Sequence, residues 1–161
     1  MRISNRSNVD SFIVMDVMEQ ARQEEESGRN IVHMEVGQPG TPAPTGAIKA
    51  LSKKMKTDSL GYTVALGLPF LRNKISELYK KWYNLELNPD RVIVTSGSSG
   101  AFLLAFTSLF DKGSKVGIGA PGYPSYRQIL KALDIDPIII QTISEDKFQI
   151  TSNSIFGRKL D

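Results

Sequence analysis

The chain has 161 residues, 40% hydrophobic and 23% charged, which suits a single globular domain with a sizeable core. Its net charge of +3 is mild, and the basic residues are spread over predicted helices instead of forming a stripe interleaved with aromatics, which argues against nucleic acid as a partner. With no cysteine and one histidine, His33, the composition excludes a disulfide framework, a thiolate nucleophile and a zinc centre.

The opening MRISNRSNVDSFIVMDV lacks the apolar core and cleavage site of a signal peptide, and its charges interrupt any membrane span, so a cytoplasmic protein with no membrane contact is expected. From Asp10 or Ser11 as a cap, Ile13, Val17, Met18 and Ala21 recur at helical spacing until Ser27 and Gly28 stop the pattern. Glu24, Glu25 and Glu26 close this helix as a solvated face, because consecutive carboxylates point in different directions. No metal site is expected there or elsewhere. Ile31 to Val36 is a short apolar run in which His33 reads as a packed side chain, and it leads into Gly37 and the stiff loop GQPGTPAP. That loop cannot be helix or central strand, since its prolines fix φ and remove donors.

Thr45 to Lys56 is predicted as a helix with Ile48, Leu51 and Met55 inward and its lysines outward. After Gly61 and Tyr62, a turn at Ala65 to Gly67 precedes a helix opened by Pro69, with Leu71, Ile75, Leu78, Tyr79 and Trp82 as its buried stripe. The centre of the chain is RVIVTSGSSGAFLLAFTSLF, from Arg91 to Phe110. Here β-branched Val92, Ile93 and Val94 predict a strand to Thr95, and Ala101 to Phe110 predict a buried helix. Where strand meets helix, Ser98, Ser99 and Gly100 present first-turn N–H groups and hydroxyls to a positive helix end, which suits a phosphate dianion. Plain helix capping by Ser96, Ser98 or Ser99 accounts for the same residues.

Further on, Lys115 to Ile118 and Pro137 to Ile143 are predicted strands separated by a turn at Pro121 to Tyr126 and a helix at Arg127 to Leu133. This alternation predicts an α/β fold with a mostly parallel sheet and helices on both faces. Ligands of such sheets lie at the carboxyl ends of the strands, where Gly97 and Pro121 fall. Tyr123 would there cover a planar ring beside the phosphate loop.

The segments VGQPGTPAP, LGYTVALGLPFLR, VIVTSGSSGAF and APGYPSYRQIL, in this order and spacing, resemble the amino-terminal part of class I and II pyridoxal-phosphate aminotransferases. The resemblance implies the start of the large domain of a fold type I aminotransferase, an incomplete three-layer sandwich, with residues 1–44 on the small-domain side and 45–161 in a partial cofactor-binding large domain. It implies that Ser98, Ser99 and Gly100 hold the phosphate of pyridoxal 5'-phosphate, that Tyr123 stacks on its ring, and that Tyr62 reaches the neighbouring subunit's phosphate in a homodimer. Gly37 corresponds to the glycine beside the substrate carboxylate, and the substrates implied are amino acids and keto acids.

No lysine here has the family's Schiff-base context, a Ser and Lys segment followed by Gly, Arg and Gly. The expectation is therefore a chain truncated before that lysine, without catalytic residues or covalent cofactor attachment, inactive alone, and associating as a homodimer or with a missing carboxyl-terminal half. The alternatives are a non-catalytic remnant or interaction fragment of the fold, and half of a split lyase.

Overall fold

A computed structural model describes residues 3–161, which divide into two compact units, one made of 3–36 with 96–161 and the other of Gly37–Thr95. In chain order the elements are α1 (Ile13–Glu26), α2 (Thr45–Met55), α3 (Pro69–Tyr83), α4 (Gly97–Leu109), β1 (Lys115–Ala120), α5 (Pro124–Ala132), β2 (Asp136–Gln141) and the short α6 (Ser152–Ile155).

The first unit is built on a βαβ piece. β1 and β2 pair in parallel, in register from Lys115 opposite Asp136 to Ala120 opposite Gln141. α5 connects them and packs on both. Its burial supplies the core: Leu130 is fully buried, and Ile135 and Ile140 nearly so. Gly117 lies close against its neighbours, and a Cβ there would stand 2.8 Å from Ile140 Cδ1 and 2.9 Å from Leu160 Cδ1, so the ends of those side chains would have to shift. The chain end lies along β1, with the Asp161 N–H donating to the Lys115 carbonyl at 3.0 Å.

α1 is tied to this piece through the residues before it. Lys131 Nζ pairs with Asp10 Oδ2 at 2.5 Å, Gln128 Nε2 donates to the Ser11 carbonyl at 3.0 Å, and the Phe12 ring meets Tyr123 edge-on at 6.1 Å. Lys131 holds the Asp10 carboxyl below its ordinary range. Asp10 and Ser11 are thus committed elsewhere, and the helix N-cap is Phe12, without a side-chain cap bond, instead of either polar residue.

In the second unit, Pro69 stands in the first turn of α3 as expected and Asn84 ends it in the left-handed region at φ +52°. The side chain that is buried on α3 is Arg72. It donates to the Pro89 carbonyl at 2.8 Å, the Val92 carbonyl at 3.1 Å and Asp90 Oδ1 at 2.7 Å. Gly67 adopts φ +95°, and a Cβ on it would stand 2.6 Å from Val94 Cβ.

Several expectations are corrected. The Val92 to Thr95 run is extended at Val92, φ −100° and ψ 119°, but is not a strand. Its backbone meets a loop, with the Val94 N–H donating to the Leu66 carbonyl at 3.0 Å, and among the described residues no neighbouring strand offers it a ladder. The expected apolar stripe of α3 is only partly covered, with Ile75 half-buried and Trp82 64% exposed, and the inward residues of α2, Ile48, Leu51 and Met55, are exposed. α4 is apolar all round, yet no residue of it is fully buried, because the helix it meets, α5, covers one side. The turn after β1 is shorter than expected: α5 starts at Pro124, where a proline is favoured in a helix's first position. His33 is not packed but exposed between Glu25 and Glu35.

Candidate functional site

The helix after the Val92 to Thr95 run starts at Gly97, whose φ of +74° is a conformation that L-residues with a Cβ rarely adopt. Ser96 is the N-cap and its side chain makes no capping hydrogen bond, and no acidic residue occupies the first turn. Ser98 and Ser99 are therefore first-turn residues whose N–H groups have no carbonyl within the helix to reach. Gly100 follows where the intrahelical ladder begins.

A second helix start faces this one. β1 ends at Ala120, the Ala120–Pro121 peptide is cis, and Gly122 leads to Tyr123 as the N-cap of α5. A Cβ on Gly122 would collide with the Gly119 carbonyl oxygen, so this corner is closed to any larger residue. Ser125, in the first turn of α5, brings its Oγ to 3.4 Å from Ser99 Oγ. α5 likewise has no side-chain cap bond and no acidic residue in its first turn. Two positive helix ends thus converge on one pair of hydroxyls, and the arrangement favours an anion.

Tyr123 is half exposed and is braced edge-on by Phe12 at 6.1 Å and by Tyr126 at 5.4 Å, while Tyr126 packs on Phe102 of α4 at 4.3 Å. These contacts orient an aromatic ring at the start of α5 and hold α4 against α5. Beside it, at the carboxyl end of β1, lies a cavity of about 450 Å³ lined by Gly119, Pro121, Gly122, Tyr123 and Arg127 among others. A larger recess of about 640 Å³ in the second unit is lined by Ser76, Lys80 and Glu86. There Lys80 is already paired with Glu86, so we place the candidate site at the first cavity.

Of the residues singled out from sequence, Ser98, Ser99, Gly100 and Tyr123 belong to the first unit, and Gly37 and Tyr62 to the second. Tyr62 is fully exposed, and a Cβ on Gly37 would meet nothing within 4 Å. Sequence reasoning missed Ser125 and Arg127. Pro124 was the available signal, because a proline at a helix start puts the following serine into the first turn. Among the described residues no group of three or more His, Cys, Asp or Glu could hold a metal ion, and no helix is long and apolar enough to cross a membrane.

The parallel βαβ piece is an α/β arrangement, of the class whose ligands commonly lie at the carboxyl edge of the strands. Residues 29–156 match the family described as aminotransferase class I and II, and the chain belongs to that family. It is 38% identical over 154 residues to the valine–pyruvate aminotransferase of Mycobacterium tuberculosis, covering 96% of this chain and 40% of the relative. The (5-formylfuran-3-yl)methyl phosphate transaminase of Methanocaldococcus jannaschii is 37% identical over 131 residues, 81% of this chain and 35% of that protein.

Among solved structures, an aminotransferase from Mycobacterium tuberculosis superposes with a TM-score of 0.92 at 37% identity, covering 98% of this chain and 41% of its own. A Silicibacter pomeroyi protein of known crystal structure gives a TM-score of 0.86 at 54% identity, over 99% of this chain and 40% of that one. The fold is accordingly that of the fold type I aminotransferases. The chain spans about two fifths of the length of these relatives.

Proposed function

We propose that this chain is the cofactor-phosphate-binding amino-terminal part of a pyridoxal-phosphate-dependent aminotransferase acting on amino acids and keto acids. The observation that carries the reading is the convergence of the α4 and α5 N-termini on Ser99 and Ser125, with Tyr123 heading α5. Family members generally use pyridoxal phosphate, and the residues present fit it: first-turn N–H groups and hydroxyls for the phosphate, an oriented aromatic ring for the pyridine. When bound, the cofactor supplies the electron sink for chemistry at the substrate's α-carbon. This chain's residues bind and orient it. Ser98, Ser99 and Gly100 fix the phosphate, Tyr123 covers one ring face, and Arg127 lends positive charge to the adjoining cavity.

Gly37 is assigned to the substrate-carboxylate loop and Tyr62 to the neighbouring subunit's phosphate, within a cytoplasmic homodimer. The exposure of Tyr62 supports the latter role, since an interface residue is open in a single chain. Residues 1–44 are assigned to the small-domain side of the family fold and 45–161 to the large domain. The valine–pyruvate relative supports an amino acid and keto acid as the substrate class. No turnover is expected from this chain by itself, because none of its lysines stands in the family's attachment context.

The test is equilibrium binding of pyridoxal 5'-phosphate and of unphosphorylated pyridoxal, with inorganic phosphate as competitor. The phosphorylated form should bind more tightly, phosphate should displace it, and Ser99→Ala should weaken it about tenfold or more, the worth of a hydrogen bond to a charged group. Equal affinity for the two compounds, or indifference to Ser99→Ala, would overturn the assignment.

A further inference from the structure

The chain's one histidine lies between two carboxylates, away from the converging helix starts. His33 Nδ1 is 2.6 Å from Glu35 Oε1, and His33 Nε2 is 3.0 Å from Glu25 Oε1. A carboxylate only accepts, and a neutral imidazole has one N–H, so making both bonds requires the imidazolium. Protonating Glu35 instead is disfavoured, because His33, together with the backbone N–H groups of Glu35 itself and Met34, holds that carboxyl below its ordinary range. The Glu35 side chain is only 10% exposed and Glu25 45%, so a neutral His33 keeps its one N–H on Nδ1 toward the less exposed Glu35 and turns the Nε2 lone pair on Glu25, which breaks the tie to α1.

Glu25 sits in the last turn of α1, and Glu35 sits two residues before Gly37, where the chain passes from one compact unit to the other. Between them, Arg29 folds back on α1, its N–H donating to the Glu24 carbonyl at 3.1 Å and its guanidinium pairing with Glu24 at 2.8 Å. Among the described residues, 30–36 makes no backbone–backbone hydrogen bond. The polar tie on this stretch is His33. The other carboxylates of that helix end are engaged, Glu24 with Arg29 and Glu26 with Arg22, and Glu25 and Glu35 are the charged groups in ion-pair contact with the imidazole.

We propose that His33 is a pH-operated latch: as the imidazolium it ties residues 33–35, the stem of the Gly37 loop, to the end of α1, and loss of its proton releases the stem. The proposal stands apart from the cofactor reading, since the two carboxylate contacts are its whole basis. Its sign follows from linkage. Hydrogen bonds to Glu35 and then Glu25 raise the His33 pKa above the ordinary value, so the latch is fully closed below the unfolded value of ~6.5. It opens as pH rises through the higher folded value.

Having one histidine makes the test direct, because the imidazole resonances need no assignment. The expected titration midpoint lies clearly above that of a histidine in an unfolded peptide, and Glu25→Gln and Glu35→Gln each lower it. Amide hydrogen exchange of residues 30–36, corrected for its intrinsic pH dependence, should rise through the wild-type midpoint and be fast and pH-independent in His33→Gln. Should Glu35→Gln fail to fold by circular dichroism, the more exposed Glu25→Gln carries the comparison. An ordinary midpoint insensitive to Glu25→Gln, or exchange unchanged across the titration, would refute the latch.

Discussion

At the corner where β1 turns into α5, space decides which residues are allowed. Gly122 is fixed by the Gly119 carbonyl, which leaves no room for a Cβ, and it immediately precedes Tyr123. Gly122→Ala should therefore shift the backbone that aims the tyrosine ring, with an overpacking cost of about 1–3 kcal/mol. Urea unfolding reads the stability cost, and pyridoxal-phosphate binding at a denaturant-free pH reads the displacement of the ring. The binding loss should exceed what a Tyr123→Leu variant of equal stability shows for ring contact alone, because the Ser125 hydroxyl moves with the same corner. A variant that keeps both stability and affinity would show that the loop relaxes freely.

Among the elements, those with their own signals were legible in the sequence and those that depend on a distant partner were not. Pro69 marks a helix start by chemistry local to the chain, Pro124 carries the same signal although that helix is expected only from Arg127, and the β-branched and apolar runs at Lys115 and Pro137 found each other as parallel strands. Ser98 and Ser99 could be placed at a helix start because Gly97 breaks the extended run and nothing interrupts the apolar stretch after it. The Val92 to Thr95 run carries an equally clear β pattern, but a pattern specifies a strand only where a neighbour supplies the ladder. Ser125, too, acquires meaning only from Ser99, 26 residues earlier.

Arg72 is the same lesson in reverse, since no periodicity marks an arginine for burial. It replaces the absent ladder by holding the carbonyls of Pro89 and Val92. Arg72→Met should leave both acceptors without their donor and destabilise the unit by about 3 kcal/mol. Arg72→Lys should recover little, because one ammonium cannot span acceptors that the guanidinium fork reaches together. Amide exchange across residues 89–95 is the local measurement, and equal protection in wild type and Arg72→Met would remove the arginine from this role.

Across the whole molecule, the balance between buried and exposed apolar groups predicts association. The buried apolar side chains among the described residues are Leu130, Ile135 and Ile140, whereas Phe70, Leu109 and Phe156 are 74%, 72% and 89% exposed. Covering a side chain of this size gains about 1.5–3 kcal/mol, and exposed apolar side chains of this size are characteristic of contact with another polypeptide. The single tryptophan, Trp82, is 64% exposed on α3 beside Tyr83, so its emission reports directly on whether that face becomes covered. With rising concentration, light scattering should show mass above that of one chain, and Trp82 emission should move to shorter wavelength in step with it. Trp82→Glu should weaken the association while leaving the helical circular dichroism intact, because the side chain contributes little to the chain's own core. A mass of one chain at every concentration, with constant Trp82 emission and no uptake of an apolar dye, would mean that these faces are tolerated in water and that Tyr62 has no partner surface to meet.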